Sequence, residues 1–245
     1  MVGHMPLEHG ILVRIQVPQL SSFFLNTITS SNPTRGAKLL SLFYNDIFWY
    51  TSIMKIKKVL IIHGWDGNPN EPLHQYLRSE LKFLGYEVNI PKMPNPAVPV
   101  IKDWVGKIKE VFDEETDLII GHSIGCQAVL RFIETFDSNL SIPKVILIAP
   151  WMKLDMNTIE EEGEEAIEIA KPWMETPIDF NKIKRLVKSV VAIFSDNDMY
   201  VPLDQVEYFK EKLGATIYVE HNQGHFTVSD NFKKLQTDIK DLISH

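Results

Sequence analysis

Residues 117–136 read DLIIGHSIGCQAVLRFIETF, and this stretch decides the fold prediction for the chain. The apolar run Leu118-Ile119-Ile120 predicts a strand, and apolar residues then recur at helical spacing from Ile124 to Phe136. The Gly-x-Ser-x-Gly pattern between them is typical of a nucleophile elbow, a sharp turn that lifts a serine hydroxyl above the sheet. Ser123 is therefore the candidate nucleophile. The alternative is a serine in an ordinary strand-to-helix turn.

The sequence around this stretch alternates between short apolar runs and helical patterns. Strands are predicted at residues 59–62, 86–90, 118–120, 144–148, 189–194 and 216–219. Few polar residues interrupt these runs, which is typical of strands covered on both faces. We therefore expect an α/β fold with a compact, mostly parallel sheet of about six strands and helices on both faces. A closing helix is predicted at about residues 231–243.

Composition limits the function classes. The chain has 245 residues, a net charge of −7 and a pI near 5.6, which argues against nucleic acid as a partner. Its single cysteine, Cys126, excludes an internal disulfide. Because the sequence also lacks a secretory pattern, we expect a cytoplasmic protein.

The first 53 residues differ from the rest of the chain in carrying few charges and no sustained periodicity. We interpret residues 1–53 as a poorly ordered extension, or as the result of a start codon placed too far upstream, and residues 54–245 as the domain. The apolar segment 39–54 is short for a bilayer span and contains Asp46, so no membrane association is expected. The alternative is a membrane-surface or partner-binding segment at residues 43–50.

An acid and a base are expected where two later strands end. Residues 195–202 follow the fifth strand and contain Asp198, and residues 221–226 follow the sixth and contain His225. The carboxyl ends of strands meet at one edge of a sheet of this kind. The order Ser123, Asp198, His225 matches the Ser…Asp/Glu…His order of α/β-hydrolases. Asp196 and His221 are the competing candidates.

These residues suggest a division of chemical roles. His225 would act as general base and acid, and Asp198 would hold its tautomer and stabilise the imidazolium. The backbone N–H groups of Trp65 and Ile124 are the candidate oxyanion donors. His122 and His63 are predicted to brace their turns. No histidine pair has i,i+4 spacing with a nearby acid, so neither a metal site nor a cofactor is expected.

Residues 55–245 resemble the α/β-hydrolase superfamily, and more narrowly the small serine hydrolases typified by retinoblastoma-binding protein nine and the bacterial YdeN-type proteins. The resemblance is carried by HGWDGNPNE at 63–71, MPNP at 93–96, GHSIGC at 121–126, PIDF at 177–180, SDND at 195–198 and GHF at 224–226. It implies the triad Ser123, Asp198 and His225, and its Asp-x-x-Val-Pro spacing favours Asp198 over Asp196. Retinoblastoma binding is not expected, because the Leu-x-Cys-x-Glu motif associated with it is absent around Cys126.

The substrate is expected to be a small acyl compound. The passage from 151 to 180, where this architecture usually carries a lid, is short. Trp65, Trp151 and Trp173 are candidates to line an apolar acyl pocket, and core packing is equally plausible for Trp173. An acidic helix at about residues 158–170 is interpreted as a solvated face, or as a rim that disfavours anionic substrates.

The predicted function is a serine hydrolase that cleaves small carboxylic esters or amides through an acyl-enzyme on Ser123. The alternative is a catalytically idle binding module on the same fold. A haloperoxidase-like enzyme or a C–C bond hydrolase with the same triad also fits these residues.

Overall fold

The computed structural model of the chain describes residues 57–137, 141–227 and 243. The predicted extension at residues 1–53, and all but the last residue of the predicted closing helix, lie outside that part of the chain. The described residues contain six strands and seven helices, and none of these helices is both long enough and apolar enough to cross a membrane.

The six strands form one sheet in which every neighbouring pair is parallel. They are β1 Lys58–Ile62, β2 Glu87–Asn89, β3 Thr116–His122, β4 Ile142–Ile148, β5 Val187–Ser195 and β6 Thr216–Glu220. Their order in the sheet is β2-β1-β3-β4-β5-β6. The predicted α/β sheet is confirmed, and each predicted strand is present with its ends displaced by no more than two residues.

The central strands are buried on both faces of the sheet. Consecutive residues of β3, β4 and β5 are buried over most of each strand, and successive side chains point to opposite faces. Ile61, Ile120, Ile146 and Val191 lie side by side across four strands and are almost completely buried. Each such side chain contributes roughly 1.5–3 kcal/mol of transfer free energy. Apolar burial of this kind requires helices on both faces.

Seven helices connect and cover the strands. They are α1 Pro72–Phe83, α2 Ile101–Val111, α3 Ile124–Glu134, α4 Met156–Glu161, α5 Glu164–Glu175, α6 Phe180–Leu186 and α7 Asp204–Leu213. Gly85 follows the C-cap residue Leu84 of α1 with a positive φ of 87°, the left-handed conformation in which a glycine commonly ends a helix.

The predicted acidic helix at residues 158–170 is wrong in one respect, because the structure has two helices there. Gly163 adopts a φ of 102° between α4 and α5, a conformation that a helix cannot contain. Asp155 caps α4 by accepting a hydrogen bond from the Thr158 backbone N–H at 3.0 Å. The break divides the acidic segment between two helices, α4 and α5.

The strand order fixes where a ligand would bind. β1 pairs with β2 on one side and with β3 on the other, so the chain reverses its direction of travel across the sheet at β1. At such a switch point in an open parallel sheet, the loops after the two adjacent strands run in opposite directions. A crevice forms between these loops at the carboxyl ends of the strands. The loops after β1 and β3 therefore flank the expected site.

Candidate active site

The turn between β3 and α3 holds Ser123 in a strained conformation. Ser123 has φ 53° and ψ −124°, and it is the residue immediately before α3. A methyl group on Gly121 would lie 2.7 Å from Cys126 Cα, and one on Gly125 would lie 2.5 Å from the backbone oxygens of Ile62 and His63. Real side chains do not tolerate such contacts, so the tightness of this turn depends on both glycines. The geometry is that of a nucleophile elbow.

Asp198 and His225 form a hydrogen-bonded pair. His225 Nδ1 lies 2.8 Å from Asp198 Oδ2, and the Asp198 side chain is 1% exposed. The other carboxylate oxygen accepts hydrogen bonds from the backbone N–H groups of Tyr200 at 2.9 Å and Val201 at 3.1 Å. Because a carboxylate only accepts, Nδ1 carries the hydrogen and Nε2 of His225 is left with a lone pair.

Hydrogen bonds join the loop after β5 to the loop after β6. Ser195 Oγ donates to Asn197 Oδ1 at 2.8 Å and accepts from the Gln223 backbone N–H at 3.0 Å. Asn197 Oδ1 also accepts from the Gly224 backbone N–H at 2.8 Å. Ser195 and Asn197 both lie within the SDND motif, but their spacing alone does not predict these hydrogen bonds. They fix the loop that carries His225 against the loop that carries Asp198.

The competing candidates Asp196 and His221 pair with each other instead. The Asp196 carboxylate contacts the His221 ring and accepts a hydrogen bond from the Asn222 backbone N–H at 2.8 Å. These two contacts, the backbone hydrogen bond first, lower the pKa of Asp196. The His221 side chain is 73% exposed, and neither residue lines the cavity that contains Ser123. Asp196 therefore braces the start of the loop that follows β6.

His122 and His63 are buried and hold the turns around the site. His122 Nε2 lies 3.0 Å from the backbone oxygen of His225, so it braces the loop of the candidate base. His63 Nδ1 lies 2.9 Å from the Gly64 oxygen, and its Nε2 accepts from the Met93 backbone N–H at 3.0 Å. Burial lowers the pKa of both imidazoles, that of His122 well below its ordinary value, so both are neutral near pH 7.

The loop after β1 lies close to the nucleophile. A methyl group on Gly64 would lie 3.3 Å from Ser123 Cβ, which places the neighbouring Trp65 beside the elbow. The Trp65 indole N–H donates to the Ala97 oxygen at 2.9 Å. Among the described residues, the backbone N–H groups of Trp65 and Ile124 donate to no backbone acceptor. Both amides are thus free to bind an oxyanion.

Ser123 and His225 line the same cavity, which has a volume of about 570 Å³. Its apolar wall includes Trp65, Val98, Trp151, Leu154, Ile159 and Ile169. The Trp151 indole N–H points at Ser123 Oγ at a distance of 3.4 Å. Among the described residues, the lining also contains Asp66, Glu71, Glu162 and Glu165 but no lysine or arginine.

Trp173 does not line the cavity, which corrects its assignment as a substrate-binding candidate. Its side chain is completely buried, and its indole N–H donates to the Pro99 oxygen at 3.0 Å. The ring packs edge-on against Trp104, with centroids 6.0 Å apart. Trp173 therefore belongs to the core beneath the covering helices.

A buried arginine connects α3, the helix that follows Ser123, to the C-terminal end of α5. Arg131 on α3 donates to the backbone oxygens of Trp173 at 3.0 Å, Thr176 at 2.7 Å and Pro177 at 3.3 Å. These carbonyls lie at or just beyond the C-terminal end of α5, where a positive charge is favourable. Burial lowers the pKa of Arg131, but an arginine stays charged at any physiological pH.

One group of side chains beside the cavity has the composition of a metal site. Glu71, His74 and His122 each place one ligand atom within 4.8 Å of the other two. Spacing along the chain does not reveal this cluster, because His122 comes from a strand that is distant in sequence from Glu71 and His74. Among the described residues, this is the one such group.

The chain is similar to known proteins over most of its described residues. A family model described as serine hydrolase matches residues 59–244. The protein YdeN of Bacillus subtilis (strain 168) is 28% identical over 182 residues, which cover 73% of this chain and 90% of YdeN. Serine hydrolase RBBP9 of Rattus norvegicus is 24% identical over 184 residues, which cover 74% of this chain and 88% of RBBP9.

A solved structure supports the same relationship. The crystal structure of the ydeN gene product from B. subtilis matches with a TM-score of 0.64 at 26% sequence identity. The match covers 77% of this chain and 100% of that one.

Proposed function

This chain belongs to the serine hydrolase family and has the α/β-hydrolase fold, and from that premise we propose that it cleaves small carboxylic esters or amides through an acyl-enzyme on Ser123. One observation carries the proposal: Ser123, on a strained elbow, and His225, oriented by Asp198, line one cavity. A serine hydroxyl needs such a base before it can attack a carbonyl.

In the proposed first step, His225 Nε2 takes the proton of the Ser123 hydroxyl while Oγ attacks the acyl carbon. The hydrogen bond from Nδ1 to Asp198 keeps the lone pair on Nε2 and stabilises the imidazolium that forms. General base catalysis of this kind contributes about 10²–10⁴-fold to the rate. The two backbone donors to Asp198 hold the carboxylate in place during the transfer.

The negative charge that develops on the carbonyl oxygen would be bound by the backbone N–H groups of Trp65 and Ile124. Neither amide has to break a backbone hydrogen bond to do so. Ile124 is also the first residue of α3, so its amide benefits from the positive end of the helix dipole. Each such donor is worth roughly 10²–10³-fold in kcat.

Collapse of the tetrahedral intermediate expels an alcohol or amine, which takes its proton from the His225 imidazolium. The acyl group is then bound to Ser123 as an ester. Water attacks this ester with His225 again as the base, and the carboxylic acid leaves. These steps use the substrate, water, the three side chains and the two backbone amides.

The dimensions of the cavity support a small substrate. Its volume of about 570 Å³ is within the range of roughly 300–1,000 Å³ typical of small-molecule sites. Trp151 and Trp65 provide apolar surface beside Ser123 for a short acyl chain. With p-nitrophenyl esters of increasing chain length, the short esters should give the highest kcat/KM, and a preference for long chains would contradict the proposal.

The charge of the cavity lining supports neutral or cationic substrates over anionic ones. Glu162 and Glu165, at the break between α4 and α5, line the cavity together with Asp66 and Glu71. An anionic ester that entered would meet this negative potential, and no lysine or arginine of the described part of the chain lines the cavity to compensate it. The acidic segment would thus form a rim that disfavours anionic substrates, which is one of the two roles that its sequence suggests.

The rim is tested with two esters of matched size, one neutral and one with a carboxylate on the acyl chain. Glu165→Gln should raise kcat/KM for the anionic ester by roughly two- to fivefold at low salt and leave the neutral ester unchanged. Glu168→Gln, an exposed position on α5 outside the lining, is the matched control. Equal effects of both variants would show that the rim does not select substrates.

An activity-based probe tests the catalytic proposal itself. A fluorophosphonate should label the wild-type chain covalently, and Ser123→Ala should abolish the labelling. Ser79→Ala, an exposed serine on α1, should label like the wild type. An unlabelled wild type would instead favour the idle binding module.

A further inference from the structure

The cluster of Glu71, His74 and His122 lies beside the proposed active site but has no role in the hydrolytic steps. Glu71 immediately precedes α1, His74 is in its first turn, and His122 ends β3. One carboxylate oxygen and one nitrogen from each imidazole lie within 4.8 Å of one another. His74 is completely buried and His122 is 5% exposed, while Glu71 and His122 also reach the cavity.

The hydrogen bonds of His122 leave a lone pair without a donor. Its Nε2 faces the backbone oxygen of His225 at 3.0 Å, and a carbonyl only accepts, so Nε2 carries the hydrogen. Nδ1 must then carry the lone pair, and this atom is buried without a hydrogen-bond partner in the part of the chain that the structure describes. The low pKa of His122, which results mainly from burial, keeps the imidazole neutral.

His74 shows the same pattern from the opposite side of the cluster. Its Nδ1 lies 3.1 Å from the Asn68 backbone oxygen, which only accepts, so Nδ1 carries the hydrogen and Nε2 the lone pair. Glu71 Oε2 lies close to the same ring, 3.1 Å from Nδ1. Its Nε2 is buried and, like Nδ1 of His122, has no partner among the described residues. A buried polar atom without a partner destabilises the folded chain. Two such atoms in one cluster point to a ligand that binds imidazole nitrogen.

The donor set identifies the class of ligand. Two imidazole nitrogens and one carboxylate oxygen suit Zn²⁺, Co²⁺, Ni²⁺ or Fe²⁺ rather than Ca²⁺ or Mg²⁺, which prefer oxygen ligands. The backbone oxygen behind His122 Nε2 is the outer partner that metal-bound histidines usually have. Because Glu71 and His122 line the cavity, a water molecule from the cavity could complete the coordination.

We propose that Glu71, His74 and His122 form a binding site for one divalent transition-metal ion of the Zn²⁺ class, with one ligand atom from each side chain. The proposal departs from the sequence-based expectation of no metal site. It does not depend on the hydrolytic activity, since all its ligands are separate from Ser123, Asp198 and His225.

Cobalt absorption is a direct test, because Co²⁺ bound by imidazole and carboxylate absorbs in the visible range more strongly than the aqueous ion. The full-length chain, freed of metal with a chelator, is titrated with CoCl₂. The wild type should develop visible bands that saturate at one equivalent and disappear when Zn²⁺ is added. Glu71→Gln and His74→Gln should weaken this binding at least tenfold, whereas His221→Gln, an exposed histidine outside the cluster, should not.

The choice of variants keeps the test informative if one of them fails to fold. His74 is fully buried, but the Glu71 side chain is 31% exposed and its replacement by glutamine preserves the shape. The thermal midpoint of the wild type should also rise with ZnSO₄, and that of Glu71→Gln should rise less. The proposal is overturned if the wild type develops no bands at millimolar Co²⁺, or if Glu71→Gln binds Co²⁺ as tightly as the wild type.

Discussion

Replacing Asp198 with asparagine should disable the proposed base while leaving the fold intact. The reason lies in the hydrogen bonds of the carboxylate. Its Oδ1 accepts from two backbone N–H groups, those of Tyr200 and Val201, and its Oδ2 accepts from His225 Nδ1. In the Asp198→Asn variant, the amide oxygen must take the place of Oδ1, because an NH₂ group there would meet two donors.

The amide NH₂ would then face His225 and donate to Nδ1. His225 would have to carry its hydrogen on Nε2, where it can no longer take the proton of Ser123. The same change of tautomer in Ser-His-Asp enzymes lowers kcat by about 10⁴-fold. At about 1.36 kcal/mol per factor of ten, this loss corresponds to roughly 5.4 kcal/mol of transition-state stabilisation.

The assay is kcat/KM with p-nitrophenyl acetate, with circular dichroism and the thermal midpoint as measures of folding. Asp196→Asn is the matched control, because that carboxylate pairs with the exposed His221 and not with His225. It should leave kcat/KM nearly unchanged. A folded Asp198→Asn variant within tenfold of the wild type, combined with a large loss in Asp196→Asn, would refute the assignment of the acid.

Further predictions concern packing, pH and the cavity wall. Gly125→Ala should destabilise the chain by about 1–3 kcal/mol or more in urea unfolding, because the new methyl group clashes with backbone oxygens. Gly106→Ala, in open space inside α2, should instead stabilise the chain by roughly 0.5–1 kcal/mol. Trp151→Phe should lower kcat for p-nitrophenyl acetate by less than about tenfold, through loss of the indole N–H near Ser123; a loss comparable to that of Ser123→Ala would give the indole a larger role. His122 is held neutral in the folded chain and protonates more readily when the chain is unfolded. In EDTA, the free energy of unfolding should therefore fall as the pH decreases below about 6.5, by up to about 1.4 kcal/mol per pH unit. The His122→Asn variant should show a smaller slope of unfolding free energy against pH. An unchanged slope would contradict a neutral buried His122.

The elbow could be predicted because its constraints are local. Two glycines, a serine and the change from strand to helical periodicity all fall within ten residues around Ser123, and each has one physical reason to be there. The six strands could also be predicted from the sequence, since burial on both faces of the sheet produces uninterrupted apolar runs. The chain order of acid and histidine then placed Asp198 and His225 at the correct edge of the sheet.

Features that depend on distant contacts could not be predicted in this way. One miss was local: the acidic composition suggested a single helix, although Gly163 within the segment was a signal for the break. A tryptophan can line a pocket or pack in the core, and the sequence does not distinguish the two. The packing of Trp173 against Trp104 assigns it to the core. The cluster with His122 requires β3 and the start of α1 to meet, which is a property of the tertiary fold and not of spacing along the chain.

Arg131 has a consequence for how a substrate reaches the nucleophile. Arg131 lies on α3, which starts at the elbow, and its guanidinium binds carbonyls at the end of α5, which lines the cavity. Separating α3 from α5 would break several charged hydrogen bonds worth roughly 1.5–3 kcal/mol each. We therefore expect no hinged opening of the cover. Molecules should enter by small rotations of side chains at the mouth, such as Tyr200, whose hydroxyl donates to Glu162 at 3.0 Å. Crystal structures with and without a phosphonate on Ser123 should then superimpose along both helices, and turnover should be limited by chemistry and not by backbone motion.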